Sequence, residues 1–369
     1  MKRRVAATAL VLAALAVAPA AAAPLAEGAP AAGGKVYAVL VGAMPGEDLY
    51  ARHYRDWLKR FHAWLTQAAG VPAANVAALS GDKDFKDPLL AGLATADAVK
   101  KAIADMAAKA GPQDQVILLL VGHGVLTEKP PTLVLPGPDV NAQELADALA
   151  PCPARNQVIL NLSSSSGVAT AFLAKKGRVV VAAASPIEGN EPVFPEFFLR
   201  GLESKRADGE AAPAAGTKDG QITVLEAYNW AAREAALWIS RLKKAGPDAW
   251  KLDGKESVEI FEKLYGTPQG AAGTRQLASG SDRAKPDEPV PIKPAGGKID
   301  QAWVGRRVLS EHAMLEDCGE KDGVSAIRAE GYQPLAGVKE GEPGSLARRV
   351  VLGKAELLPA PKEVPAVKP

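Results

Sequence analysis

Two residues separated by forty-one positions carry the chemistry of this chain. His123 stands between Gly122 and Gly124, directly after the apolar run Gln115–Leu120 (QVILLL). Ser164 lies inside the small-residue turn Asn161–Gly167 (NLSSSSG), directly after a second apolar run, Gln157–Leu160 (QVIL). An imidazole gains and loses its proton near neutral pH, and a serine hydroxyl attacks only when a base takes its proton. Buried strands that end in such turns place their side chains at the C-terminal edge of a parallel sheet, where ligand crevices form. The expected site is therefore His123 as base beside Ser164. Gly122 and Gly124 would permit the turn, and the backbone amides around Gly124, Ser165 and Gly167 would face an oxyanion. The competing reading of His123 is a turn residue satisfied by local hydrogen bonds. The other histidines are weaker candidates: His53 and His62 belong to or flank one amphipathic helix, and His312 follows no strand.

The elements that must position this pair follow from periodicity. Lys35–Ala43 (KVYAVLVGA), Val76–Leu79, Gln115–Val121, Gln157–Leu162 and Arg178–Ala184 have strand composition with no polar alternation. Between them, Tyr50–Ala69 carries Trp57, Leu58, Phe61, Trp64 and Leu65 on one helical face. Thr95 caps a helix over Ala96–Ala110, and Asn141 caps one through Leu149. Strand–helix alternation with apolar strands predicts a three-layer α/β sandwich: a mostly parallel sheet with helices on both faces. Helices are also expected over Phe194–Leu202 and Val224–Leu242, with Trp57, Trp64, Trp230 and Trp238 in the core. The predicted organisation is a signal peptide over 1–23, a flexible leader over 24–34 and the main domain over 35–245. A C-terminal helical extension over 246–320 follows, with a Pro/Gly-rich linker at 266–297 and a docked segment at Trp303–Leu315. Residues 321–369 are expected to be a mostly disordered tail.

The order of these motifs resembles the caspase/legumain-like cysteine peptidases, and their bacterial exported members more closely. The strand–Gly-His-Gly turn at 122–124 is followed by Leu135-Pro136-Gly137-Pro138-Asp139, a helix, and a second strand that ends in Ser164-Ser165-Ser166-Gly167. Arg178–Val181, Pro195–Phe198, Asp219-Gly220 and Ser310–Ala313 extend the likeness over about residues 35–317. The resemblance implies a caspase-like sheet and sets Ser164 where those peptidases hold their cysteine. It also implies a nucleophile and histidine farther apart than a serine dyad needs. A thiol has a reference pKa near 8.5 and ionises beside an imidazole, whereas a hydroxyl needs tighter geometry and usually a third, orienting group. No Asp or Glu is visibly placed for that task. The expectation is an exported peptidase homologue that has lost its nucleophile and binds a peptide or protein segment. The alternative is an active hydrolase with Ser164 as nucleophile and His123 as base.

Composition sets outer bounds. Among 369 residues, 47% are apolar and 23% charged, with a formal charge of +2. Lys2-Arg3-Arg4, the apolar Val5–Val17 and Ala21-Ala22-Ala23 have the three-part form of a secretory signal. Its removal takes the charge to −1, and no basic stripe points to nucleic acid. A periplasmic or secreted protein without a membrane span is the expectation, with no cofactor. Cys152 and Cys318 are too few for a disulfide framework, and whether they pair is left open. Cys152 precedes its strand, on the wrong edge for the chemistry. Ala215–Glu226 keeps Asp219, Gly220 and Glu226 of a calcium loop but has Ala215 and Thr217 at the leading ligand positions. A turn at a helix start is the better reading of those residues.

Overall fold

The structure, a computed structural model, describes residues 34–126, 130–186, 191–209, 218–244, 311–320, 323–328, 331–337 and 339–354. Strands that are apolar on both sides must be covered on both sides, and here they are. In chain order the strands of the described residues are β1 (Val36–Gly42), β2 (Val76–Ser80), β3 (Leu90–Leu93), β4 (Gln115–Gly122), β5 (Gly124–Val125), β6 (Thr132–Leu133) and β7 (Val140–Asn141). Then come β8 (Asn156–Ser163), β9 (Arg178–Ala182), β10 (Gln221–Thr223), β11 (Met314–Glu316), β12 (Val324–Ser325), β13 (Ile327–Arg328), β14 (Gly331–Tyr332) and β15 (Val351–Lys354). Eight strands form one sheet in the order β12-β11-β9-β8-β4-β1-β2-β3. The six from β9 to β3 run parallel, while β11 and β12 close one side in antiparallel fashion.

Among the described residues, six α-helices cover the sheet: α1 (Asp48–Ala63), α2 (Ala96–Lys109), α3 (Ala142–Leu149), α4 (Ser166–Leu173), α5 (Phe194–Glu203) and α6 (Val224–Lys244). Alternate strand residues divide between two cores, as the period of two requires. Leu40, Leu119, Leu160 and Val181 meet Leu58 and Phe61 of α1, Phe197 of α5 and Tyr228 of α6. Val39, Leu118, Ile159 and Val180 meet Ile103 of α2, Leu145 of α3 and Leu173 of α4. This is the three-layer, mostly parallel α/β sandwich expected from the sequence. The caps are also in place: the Thr95 hydroxyl accepts from Ala98 N–H at 3.3 Å, and Asn141 forms a reciprocal capping box with Glu144. Trp57, Trp64 and Trp230 are buried, whereas the side chain of Trp238 lies outside the described residues.

The C-terminal region departs from expectation. Of the predicted helical extension over 246–320, residues 246–310 (with the linker 266–297) lie outside the described residues, as do the signal peptide over 1–23 and most of the leader. The described part is not helical. Residues 314–316 form β11, pairing Leu315 with Val181 and Glu316 with Val180. Nor is the described part of 321–369 an unstructured tail: it holds β12 to β15, and β15 pairs antiparallel with β10. Long-range polar anchors fasten these short segments. Glu311 accepts the Val193 and Phe194 amides at 2.7 and 2.9 Å, satisfying the first turn of α5. Asp317 accepts those of Gly344, Leu346 and Ala347 at 2.9, 2.8 and 2.9 Å. Such anchors leave no periodic trace in sequence.

Candidate functional site

Register decides whether the two turns meet. β4 and β8 are adjacent and parallel, and Gly122 pairs with Ser163, so their C-terminal ends finish side by side. The chain then turns at both ends. Gly122 has φ +115°, and a side chain there would strike Ala43 and the Tyr54 ring. A Cβ on Gly124 would come within 2.3 Å of the Ser164 carbonyl oxygen, so only glycine permits the two turns to touch. Ser165 adopts the left-handed conformation with φ +56° as it turns β8 into α4. Such a strained non-glycine residue at a strand–helix elbow is typical of functional turns. Gly167, in the first turn of α4, packs against the backbone of Ala184 and Ser185.

His123 and Ser164 therefore face each other, with Nδ1 to Oγ at 3.4 Å. That is closer than the resemblance implied, though at the outer limit for a hydrogen bond. The Ser164 hydroxyl has nearer partners: it accepts the Gly124 N–H at 2.9 Å and lies 3.1 Å from the Gly124 carbonyl, to which it donates. Ser164 is only 1% exposed. The Ser164 amide donates to the Gly122 carbonyl at 3.0 Å. Both backbone donors beside the hydroxyl, Gly124 N–H and Ser164 N–H, are thus engaged within the turns rather than presented to an oxyanion.

An acidic group does stand at the site, contrary to the sequence expectation. Glu191 Oε2 lies 3.7 Å from His123 Nδ1, an ion-pair distance rather than a full hydrogen bond. Its other oxygen accepts the Tyr54 hydroxyl of α1. The contact with Glu191 holds the His123 imidazole above its ordinary pKa; partial burial opposes this, and the Glu191 and Asp139 charges reinforce it. Burial, with Glu191 beside it, keeps the Tyr54 phenol protonated. In a serine triad the acid and the nucleophile contact opposite ring nitrogens. Here both Glu191 and Ser164 approach Nδ1, so the carboxylate stabilises a proton on the nitrogen that would have to be bare to accept one from Ser164. The His123 side chain is 50% exposed, so the ring also meets solvent.

The remaining candidates fall elsewhere. The Thr223 hydroxyl accepts the Glu226 N–H at 3.2 Å, and Glu226 accepts the Thr223 N–H and hydroxyl, both at 2.9 Å, and the Gly209 N–H at 3.0 Å. This is a capping box at the start of α6. Asp219 accepts Gln221 N–H at 2.9 Å as a turn residue. Among the described residues, no group of three or more His, Cys, Asp or Glu is arranged to hold a metal ion. Cys152 is buried at the opposite edge of the sheet, and both it and Cys318 are free thiols. His53 is buried on the inner side of α1, where burial lowers its pKa to about 4. Sequence reasoning missed Glu191, in the aperiodic stretch before α5, and Tyr54, which looks like one more aromatic on the apolar face of α1.

No family model matches the chain, and no curated protein matches it. Among solved structures it is similar to a secreted C11 cysteine protease from Bacteroides thetaiotaomicron, determined in complex with an irreversible peptide inhibitor. The identity is 13%, the match covers 62% of this chain and 83% of that chain, and the TM-score is 0.29. No helix of the described residues is long and apolar enough to cross a membrane.

Proposed function

We propose that the chain is an exported peptidase-like protein of the caspase/legumain type whose strand-end site binds a peptide or protein segment without cleaving it. The observation that carries this reading is the state of Ser164. Its hydroxyl stands where the resemblance puts a thiol, is buried, and is bound to both the N–H and the C=O of Gly124. A nucleophile needs a free trajectory and a base able to accept its proton. This hydroxyl is tied into the backbone, and the facing imidazole nitrogen is shared with Glu191. Large apolar side chains exposed on the same edge give a ligand something to bury: Met44 follows β1, Leu93 ends β3 and Leu126 follows β5. Met44 N–H bonds the Val134 carbonyl, and Val134 N–H bonds that of His123, so Met44 belongs to the rim of the site.

The second reading, a working serine hydrolase, is favoured by the 3.4 Å approach of Nδ1 to Oγ. A fluorophosphonate probe and a peptide library decide between them. The binding reading expects no labelling of Ser164 and no cleavage, together with library peptides whose binding is lost in Met44→Glu or Leu126→Glu. Labelling that vanishes in Ser164→Ala and weakens in His123→Ala would establish the hydrolase instead. Export is tested by the N-terminus of the protein recovered outside the cytoplasm, expected near Pro24.

A further inference from the structure

At the Ser164 site, groups from four parts of the fold act on one imidazole, two by direct approach, one through its charge and one through a neighbour. Glu191 comes from the segment before α5, Asp139 from the loop before β7, Ser164 from the β8–α4 turn, and Tyr54 from α1 through Glu191. The Ser164 hydroxyl already has a carbonyl to donate to at 3.1 Å, closer than Nδ1 at 3.4 Å. A proton on His123 Nδ1 therefore faces an anionic acceptor, the Glu191 carboxylate at 3.7 Å, beside the neutral Ser164 oxygen. That carboxylate is itself 15% exposed and fixed by the Tyr54 hydroxyl from a helix packed in the core.

We infer that Glu191, anchored by Tyr54, is a positioning residue that fixes the Nδ1 proton of His123 toward itself. The half-exposed ring, when neutral, then presents a bare Nε2 that accepts a backbone N–H of the bound peptide, and Nδ1 cannot serve as base for Ser164. The inference rests on the reading of this site as a binding site, yet its test is independent of activity. It also explains why a carboxylate near a histidine does not create a triad here: it sits on the nucleophile's side of the ring.

The test is ¹⁵N and ¹H NMR of the imidazoles in the full chain, with His123 assigned by the signals missing in His123→Ala. The expected result is a His123 ring titrating above the ordinary 6.5, with Nδ1 carrying the proton when the ring is neutral. Glu191→Gln should lower that midpoint and shift the neutral ring toward the Nε2–H form. Tyr54→Phe should move both readouts the same way by less. A tautomer and midpoint unchanged by Glu191→Gln would overturn the inference. Labelling of Ser164 by the phosphonate would instead remove the binding reading, so the two failures are distinguishable.

Discussion

Tyr54 and Arg60 leave the same helix less than two turns apart, one toward Glu191 and His123, the other toward Glu196 on α5. Around Arg60 the charges close on one another. Its guanidinium donates to Glu196 at 2.7 Å, to Asp56 at 3.0 Å and, in bidentate fashion, to Glu203 at 2.9 and 2.7 Å. Glu196 also accepts the Trp57 indole at 2.9 Å and Arg200 at 2.6 Å. Burial pushes the Glu196 carboxyl up, but Arg60 and Arg200 outweigh it and hold the group at about 2. At His123 the groups compete instead: a hydroxyl and a carboxylate address one ring nitrogen, and the ring is half exposed. The cluster that holds two helices together satisfies its members, whereas the cluster at His123 leaves part of the ring facing outward.

That contrast is broken most directly by Arg60→Leu. It leaves Glu196 buried without its principal counter-charge and should cost about 3–5 kcal/mol, measured by denaturant unfolding. The pH dependence sharpens the same point. Glu196, depressed in the folded chain to about 2 from 4.5, contributes stability that is present above 4.5 and lost as pH falls from there toward 2. Two neighbours act with opposite signs at higher pH. Burial lowers the pKa of His53 from 6.5 to about 4, so His53 loses stability as pH falls through that window. Burial, opposed by Arg60, raises Asp56 from 3.8 to about 6, so Asp56 gains stability as pH falls from 6 to 3.8. Tm should therefore drop most steeply below pH 4.5, and Glu196→Gln should flatten that drop.

At the other cluster, Ser164→Ala leaves the Gly124 N–H and C=O buried without their hydroxyl partner and should destabilise the fold by about 1–3 kcal/mol. A serine kept only for attack would show no loss, so denaturant midpoints separate the two roles. The smallest effect serves as a reference. Thr223→Ala removes one half of the α6 capping box and should cost about 1 kcal/mol, with the His123 titration unchanged.

Much of the scaffold was legible along the chain because its signals are local. An apolar run of five to eight residues, a Thr or Asn before a helix, and a Gly-flanked His after a strand are all contained within a few positions. The elements β1, β2, β4, β8 and β9, and helices α1, α2, α3, α5 and α6, follow from such patterns. The edge strand β3 did not, because its four residues (LAGL) are mostly exposed and too short to show a period. The strands β11 to β15 were missed for a related reason: two to four residues carry no periodicity, and their places are set by partners such as Glu311 and Asp317.

The amino-acid order alone determined that a base and a hydroxyl terminate two buried strands, since hydrophobic periodicity and turn chemistry are written in adjacent residues. Only tertiary structure decided what surrounds them. Glu191 reaches His123 across 68 positions of chain, Tyr54 reaches Glu191 across 137, and Gly124 claims the Ser164 hydroxyl across 40. These contacts exist because a parallel sheet brings distant strand ends to one edge, and no local preference of the chain encodes which side of an imidazole a remote carboxylate will occupy.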